Sequence, residues 1–359
     1  MNNITNNVFI DDLLASIADI GYKVEDFNFE LPEDYIAREP RKERSAGRLL
    51  CVNKENGVLT HSHFQNITDF INEGDLLVFN NTRIIPSHLL MKTEDDTTIE
   101  VFVERILDNT TMLVRIFKQP QIKIGDLLTI DKDILKVNML DGEFYELSLC
   151  TQKNTLWEII QKGELAFPLY FKRQPTALDK ETFQTIYASE PGSVSAPSAG
   201  FHFDEATFKK IHANKINIDF VTLHVGSGTS AAIHVDDISK HKMHTEWLHV
   251  SQELCELIKT TKAKGKRVIA IGTTSLRALE TISQHGKINA YTGYTDIFIR
   301  PGHQFQCVDG LFTNLHLPRS TLMILISALA GYEHIRQAYK VAIQDNYRFL
   351  AYGDGMLIT

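Results

Sequence analysis

Two glycine-rich, histidine-bearing segments lie between Gly192 and His244: GSVSAPSAGFHF and TLHVGSGTS, the second followed by HVDDISKHKMH. Glycine tolerates positive φ and lets the main chain come close to a ligand, so such runs can turn backbone N–H groups toward it. His202, His224, His241 and His244 add side chains able to exchange protons near neutral pH. This combination, twice within one short region, predicts the wall of a small-molecule site. Gly226, Gly228 and Thr229 contribute backbone donors and a hydroxyl to the second run.

Four other stretches carry side chains with chemical potential. RVIAIGTTSLRALE reads as a buried strand, a turn and a helix, with Gly272, Thr273 and Thr274 at the helix start and Arg277 one turn on. Free N–H groups at a helix N-terminus attract anions and carboxylates, and simple capping accounts for the hydroxyls equally well. In FNNTRIIP a turn explains the asparagines, but not Arg83 set between apolar segments; a partly buried salt bridge and a substrate carboxylate are both open as its partner. TNLHLPRS puts Asn314 and His316 at a strand end ahead of an apolar helix. YRFLAYGDGM flanks Asp354 with glycines, which predicts an exposed carboxylate or an Asx-turn. Arg41, Lys42 and Arg44 lie in a basic strip suited to phosphates or to a solvated face. There is no GxGxxG, Walker or GxSxG pattern, and HVDDISKHKMH meets no standard metal signature.

The elements that must position these residues follow from periodicity. With 359 residues, 43% of them hydrophobic and 23% charged, the chain can bury a substantial core. Its formal net charge of −8 disfavours a generic nucleic-acid coat without excluding a local basic patch. No apolar run is long enough to span a bilayer, the start lacks the features of a secretory signal, and four scattered cysteines suit a reducing cytoplasm. Residues 1–22 read as a docking helix with Phe9, Leu13, Leu14, Ile17 and Ile20 on one face. Phe27, Phe29 and Leu31 alternate like a strand, and Pro32 opens a short helix. Residues 74–149 form short β-rich runs divided by polar turns, predicting a small antiparallel barrel or sandwich. Helices are expected at Thr155–Gln161, Asp204–Asn214, Ser251–Lys264, Ser275–Gln284 and Ser320–Ala342, and strands at Asn217–Leu223, Arg267–Ile271 and Thr295–Ile299. That alternation predicts an α/β domain, residues 23–73 and 150–359, with the β-rich piece inserted.

Taken together the motifs resemble the S-adenosylmethionine:tRNA ribosyltransferase-isomerases of queuosine biosynthesis. The likeness runs from about Asp26 to Ile358 and is carried by FELPEDYIA, GDLLVFNNTRIIP, FQTIYASEPGSVSAPSAGFHF, TLHVGSGT, HKMHTEW, GTTSLRALE, DIFIRPG, TNLHLPRSTL and YRFLAYGDGM. The resemblance implies a large α/β domain with an inserted β-barrel. It also implies transfer of the ribosyl part of S-adenosylmethionine to the aminomethyl group of a deazaguanine in tRNA, with isomerisation and loss of adenine and methionine. S-adenosylmethionine is then a co-substrate, no cofactor is permanently bound, no metal is needed, and the partner is tRNA with a GUN anticodon. The expected protein is cytoplasmic, a monomer or weak homo-oligomer. The reaction needs a base beside the sulfonium and an acid for adenine, which implies roles for His202, His224 and His316, His224 first because the following glycines leave room for a substrate atom. Gly226, Gly228, Thr229, Gly272, Thr273, Thr274, Arg277, Arg83 and Asp354 become candidates for S-adenosylmethionine, and Arg41, Lys42 and Arg44 for RNA. The chain departs from the family pattern at NTRIIPSH, at Ser230–Ala232 after HVGSGT, at AFPLYF and at AYGDGM. A divergent paralogue with another acceptor, or a non-catalytic RNA-binding one, is the alternative.

Overall fold

The computed structural model describes residues 21–117, 122–151, 154–226, 233–284 and 286–359. The N-terminal helix expected over 1–22 lies outside them but for Gly21 and Tyr22, and so do Gly228 and Thr229. The chain divides into two compact units, Met1–Asn80 with Pro197–Leu223 and Gly228–Thr359, and Asn81–Ala196 with His224–Ser227.

In chain order the strands and helices begin with β1 (Arg48–Val52), β2 (Leu59–His63), β3 (Leu76–Asn80) and β4 (Thr82–Ile84). Next come β5 (His88–Lys92), β6 (Thr98–Ile106), β7 (Thr111–Ile116), β8 (Leu127–Ile130), β9 (Asp133–Asp141) and β10 (Phe144–Leu149). Helices α1 (Leu156–Ile160) and α2 (Ala177–Thr182) precede β11 (Glu190–Ser193), α3 (Glu205–Ala213), β12 (Asn217–Leu223), β13 (Glu246–Val250) and α4 (Gln252–Ala263). The chain ends through β14 (Val268–Ile271), α5 (Thr273–Ser283), β15 (Tyr291–Thr295), β16 (Gly310–Asn314), α6 (Thr321–Ala330), α7 (Tyr332–Gln344) and β17 (Gly355–Ile358).

The larger unit is built on a nine-stranded sheet of order β15-β13-β12-β3-β14-β16-β17-β1-β2. Its centre, β12-β3-β14-β16, is parallel. LLVFN, VIAI and GLFTN are buried at every position, the near-continuous apolar reading of strands covered on both faces. Side-chain caps start three helices: Asp204 accepts from the Thr207 N–H, Ser251 from Leu254 and Ser320 from Met323. Helix α5 has Gly272 as its cap and no side-chain cap hydrogen bond.

The smaller unit contains a closed barrel of order β10-β7-β6-β5-β8-β9. Inward positions such as Leu89, Met91, Val101, Val114 and Leu135 are fully buried, as are Leu156 and Ile159 of α1. Strands β4 and β11 form a separate parallel pair.

Four expectations need correction. Strand β3 is not part of the inserted piece, because its buried run pairs with β12 and β14 at the middle of the large sheet; the compact β unit begins at Asn81 and reaches Ala196 instead of stopping at 149. The Phe27–Leu31 segment is no strand. The Asp26 carboxylate accepts the Lys23 N–H at 2.7 Å and closes a 3-10 turn, Val24–Phe27. The long C-terminal helix breaks into α6 and α7 at Gly331, whose φ of 89° no right-handed helix accommodates. The strand expected at Thr295–Ile299 ends where it was to begin, since Thr295 Oγ1 accepts the Ile297 N–H at 3.2 Å and turns the chain out of the ladder.

Candidate active site

Ligands of open α/β sheets gather beyond the C-terminal ends of the strands. In the larger unit the ends of β12, β3, β14 and β16 carry Leu223, Asn80, Ile271 and Asn314. Asn80 is fully buried. Its Nδ2 donates to the Leu223 carbonyl at 2.9 Å and to Thr274 Oγ1 at 3.2 Å, while its Oδ1 accepts the Leu223 N–H at 3.0 Å. One amide thus joins two strand ends to the start of α5 and leaves the Thr274 hydroxyl proton to be donated elsewhere.

The strand-to-helix turn holds Gly272 at φ 89°, and its N–H donates to the Phe312 carbonyl at 2.8 Å. Thr273, Thr274 and Ser275 are buried. A helix N-terminus that is both buried and without a side-chain cap has N–H groups to offer a carboxylate. The 3-10 turn Ser198–His202 lies over this point: Ala199 Cβ is 3.4 Å from where a side chain on Gly272 would begin. Two of the small-residue segments read from the sequence, SAPSAGFHF and GTTS, therefore meet.

His202 closes the same region. Asn314 accepts from Ser198 Oγ at 3.2 Å through Oδ1, and its Nδ2 lies 3.1 Å from the Leu350 carbonyl and 3.0 Å from His202 Nε2. A carbonyl only accepts, so the amide orientation is set and Nε2 of His202 must be the acceptor. The ring is neutral with its hydrogen on Nδ1. Burial, with a lesser contribution from the Arg41 charge, brings the His202 pKa down to about 3. Nδ1 sits 3.3 Å from the position of a Cβ on Gly47, so a side chain there would press on the ring, with Arg41 Nε at ordinary contact distance.

Asp354 is buried, not the exposed turn carboxylate expected. Its oxygens accept Arg41 Nη2 at 2.6 Å and the N–H groups of Arg48 and Arg348 at 2.8 Å each. Arg41 is accordingly committed inward. Arg44 reaches the Phe201 carbonyl at 3.4 Å, while Lys42 is exposed. The three cations are thus not one uniform solvated strip. Arg277 is buried in an ion pair with Glu246 and donates through Nε to the Ile297 carbonyl at 3.3 Å, so it braces α5 against β13. His316 is also buried. Its Nε2 meets Thr313 Oγ1 at 2.9 Å, its N–H donates to Tyr339 Oη at 2.8 Å, and burial takes its pKa to about 3.

The smaller unit holds His224, Gly226 and Arg83. His224 Nδ1 lies 2.8 Å from Thr82 Oγ1. Its imidazole packs on Gly192, where a Cβ would stand 2.6 Å from Nε2. Burial lowers its pKa to about 4. Gly226 has the Glu104 carboxylate 2.5 Å from the place of a Cβ. Arg83 is exposed on β4, which removes the partly buried salt bridge as its explanation. The near-neutral titration expected of His202, His224 and His316 is absent in all three, because each ring is desolvated; each is neutral at pH 7.

Sequence reasoning passed over Asn80, assigned to a turn, and left Asn314 and Ser198 without roles. The available signal was a polar amide closing a wholly apolar strand, as in LLVFN and GLFTN. Among the described residues no cluster of histidine, cysteine, aspartate or glutamate is arranged to hold a metal, and no helix is long and apolar enough to cross a membrane.

A family model described as queuosine biosynthesis protein matches residues 24–358. Among solved structures, the chain is similar to the S-adenosylmethionine tRNA ribosyltransferase of Thermotoga maritima, with 28% sequence identity and a TM-score of 0.54 over 93% of this chain and 100% of that one.

Proposed function

Because the chain belongs to the queuosine biosynthesis protein family, we propose that it transfers and isomerises the ribosyl part of S-adenosylmethionine onto 7-aminomethyl-7-deazaguanine in tRNA. It is a transferase, and adenine and methionine are released. The observation that carries the reading at the level of residues is the uncapped, buried N-terminus of α5, beneath Ser198–His202 and joined to Asn80. Its N–H groups and the Thr273 and Thr274 hydroxyls suit the carboxylate and ribose of S-adenosylmethionine.

His202 acts as a fixed neutral donor from Nδ1, consistent with its bond from Asn314. His224, neutral and held by Thr82, is in the base form and is our choice for the general base. Asp354 organises Arg41 and the chain around Arg48 and Arg348 instead of touching substrate. The acceptor is tRNA with a GUN anticodon, the setting is the cytoplasm, and the protein works as a monomer or weak homo-oligomer with no permanent cofactor.

The deciding experiment follows adenine. Protein, S-adenosylmethionine and tRNA bearing the aminomethyl deazaguanine are mixed, and free adenine is quantified by chromatography. Release that depends on the modified tRNA is expected. Release with a different acceptor, or tRNA binding with no release, would overturn the assignment.

A further inference from the structure

A cavity of about 580 Å³ opens on the smaller unit beside β4, within the usual range of small-ligand sites, roughly 300–1,000 Å³. Arg83, Lys180, Trp157, Gln161 and Glu164 lie along it, with buried Phe183 as part of its floor. Neither Arg83 nor Lys180 forms an ion pair with a described residue. Trp157 packs one part of its indole on the barrel core and is half-buried, so its orientation is set before any ligand arrives. The Gln184 amide accepts the Ile84 N–H at 3.3 Å and reaches the Ile84 carbonyl at 3.5 Å, which fixes the strand carrying Arg83.

Two cations with no ion pair among the described residues and an anchored indole ask for an anion joined to a flat ring. S-adenosylmethionine is a poor fit, since its ammonium and sulfonium outnumber its single carboxylate. A nucleotide within RNA fits: the phosphodiester is anionic, and every base presents a π-face to an aromatic side chain. Arg and Lys contacts to phosphate are also the main source of affinity for nucleic acid. Glu164 offsets part of the positive charge and gives the rim an acceptor for a base or ribose donor.

We propose that this cavity holds a nucleotide of the tRNA, with its base against Trp157 and its phosphate on Arg83 and Lys180. The proposal rests on the tRNA reading above and gives Arg83 an RNA partner in place of S-adenosylmethionine.

The test is tRNA binding to the full chain by fluorescence anisotropy across a salt series, with S-adenosylmethionine affinity measured by calorimetry on the same samples. Lys180→Ala is expected to flatten the plot of log affinity against log salt by about 0.7, the value for one phosphate contact on a single strand. Trp157→Ala is expected to weaken tRNA binding about tenfold, and Trp157→Phe, which keeps a stacking face and fills the core, should recover most of it. Arg83→Ala should lower tRNA affinity and slope as Lys180→Ala does. Wild-type binding with unchanged slope and affinity in the Lys180 and Trp157 variants overturns the cavity and leaves the tRNA reading standing. Loss of S-adenosylmethionine affinity alone in Arg83→Ala also overturns it. Failure of the wild-type chain to bind tRNA overturns the reading and the cavity together.

Discussion

Asn314 Nδ2 lies 3.0 Å from His202 Nε2 and 3.1 Å from the Leu350 carbonyl, and this double engagement dictates the tautomer of the histidine. An imidazole whose Nε2 must accept cannot be protonated there without losing its partner. The ring that the sequence offers as a proton shuttle is instead held in one tautomer, neutral with its hydrogen on Nδ1.

Asn314→Asp reverses the polarity of that bond. A carboxylate can only accept, so Nε2 takes the hydrogen and the cation becomes favourable. The His202 pKa should rise from about 3 toward or beyond its ordinary value, and turnover should fall by about 10²-fold as Nδ1–H is misassigned. Nitrogen-resolved NMR of the His202 ring in both proteins reads the tautomer directly. An unchanged tautomer in the variant would sink this account.

Acid should destabilise the fold through the same histidines. His202 and His316 have folded pKa values lowered to about 3 against 6.5 unfolded. Above pH 6.5 neither state is charged and the fold keeps its full stability. Between 6.5 and about 3 the unfolded chain takes up protons that the buried rings refuse, so stability declines by on the order of 1 kcal/mol per pH unit for each histidine. Urea unfolding at pH 7 and 5 should show the decline, and His316→Gln should make it shallower.

Removing hydroxyls at the start of α5 should weaken S-adenosylmethionine and spare the fold. Thr273→Val and Thr274→Val conserve volume while deleting a donor. An affinity loss of roughly tenfold per hydroxyl corresponds to the usual worth of one hydrogen bond. Thr274→Val also leaves Asn80 Nδ2 with the Leu223 carbonyl as its remaining partner among those described, so it should be the less stable of the two. Equal affinity in wild type and variants by calorimetry would exclude this helix end from the site.

Gly192→Ala should disable His224. Its φ of 151° strains an L-residue, and the new Cβ would fall 2.6 Å from His224 Nε2. Expelling the imidazole from Thr82 should cost about 1–3 kcal/mol of stability and most of the turnover. A variant that keeps both would show that the His224 ring has somewhere else to go.

The basic strip should split under charge reversal. Lys42→Glu, at an exposed position, should alter only the salt dependence of tRNA binding. Arg41→Glu sets a carboxylate against buried Asp354 and should cost about 3 kcal/mol or more. Thermal melts of both variants beside tRNA titrations separate the two effects; equal melts would mean the Arg41–Asp354 pair contributes nothing to the fold.

Much of this protein is determined locally and was legible in the sequence. Capped helices such as Glu205–Ala213 and Gln252–Ala263, and unbroken apolar strands such as Val268–Ile271, follow from residue spacing and from the need to satisfy chain-end N–H groups. The family is legible too, because its motifs keep their order from Asp26 to Ile358. What the sequence could not determine is what each polar group meets. Asp354 looked like an exposed turn residue until residues more than 300 positions away, Arg41 and Arg48, supplied its donors. The histidines looked titratable because their ordinary pKa is a property of the isolated ring, while burial and the partner on each nitrogen are properties of the packed chain. Asn80 is the same case in reverse: beside Asn81 and Thr82 it reads as a turn, and only the parallel neighbours of β3 make it the clamp between two strand ends and a helix.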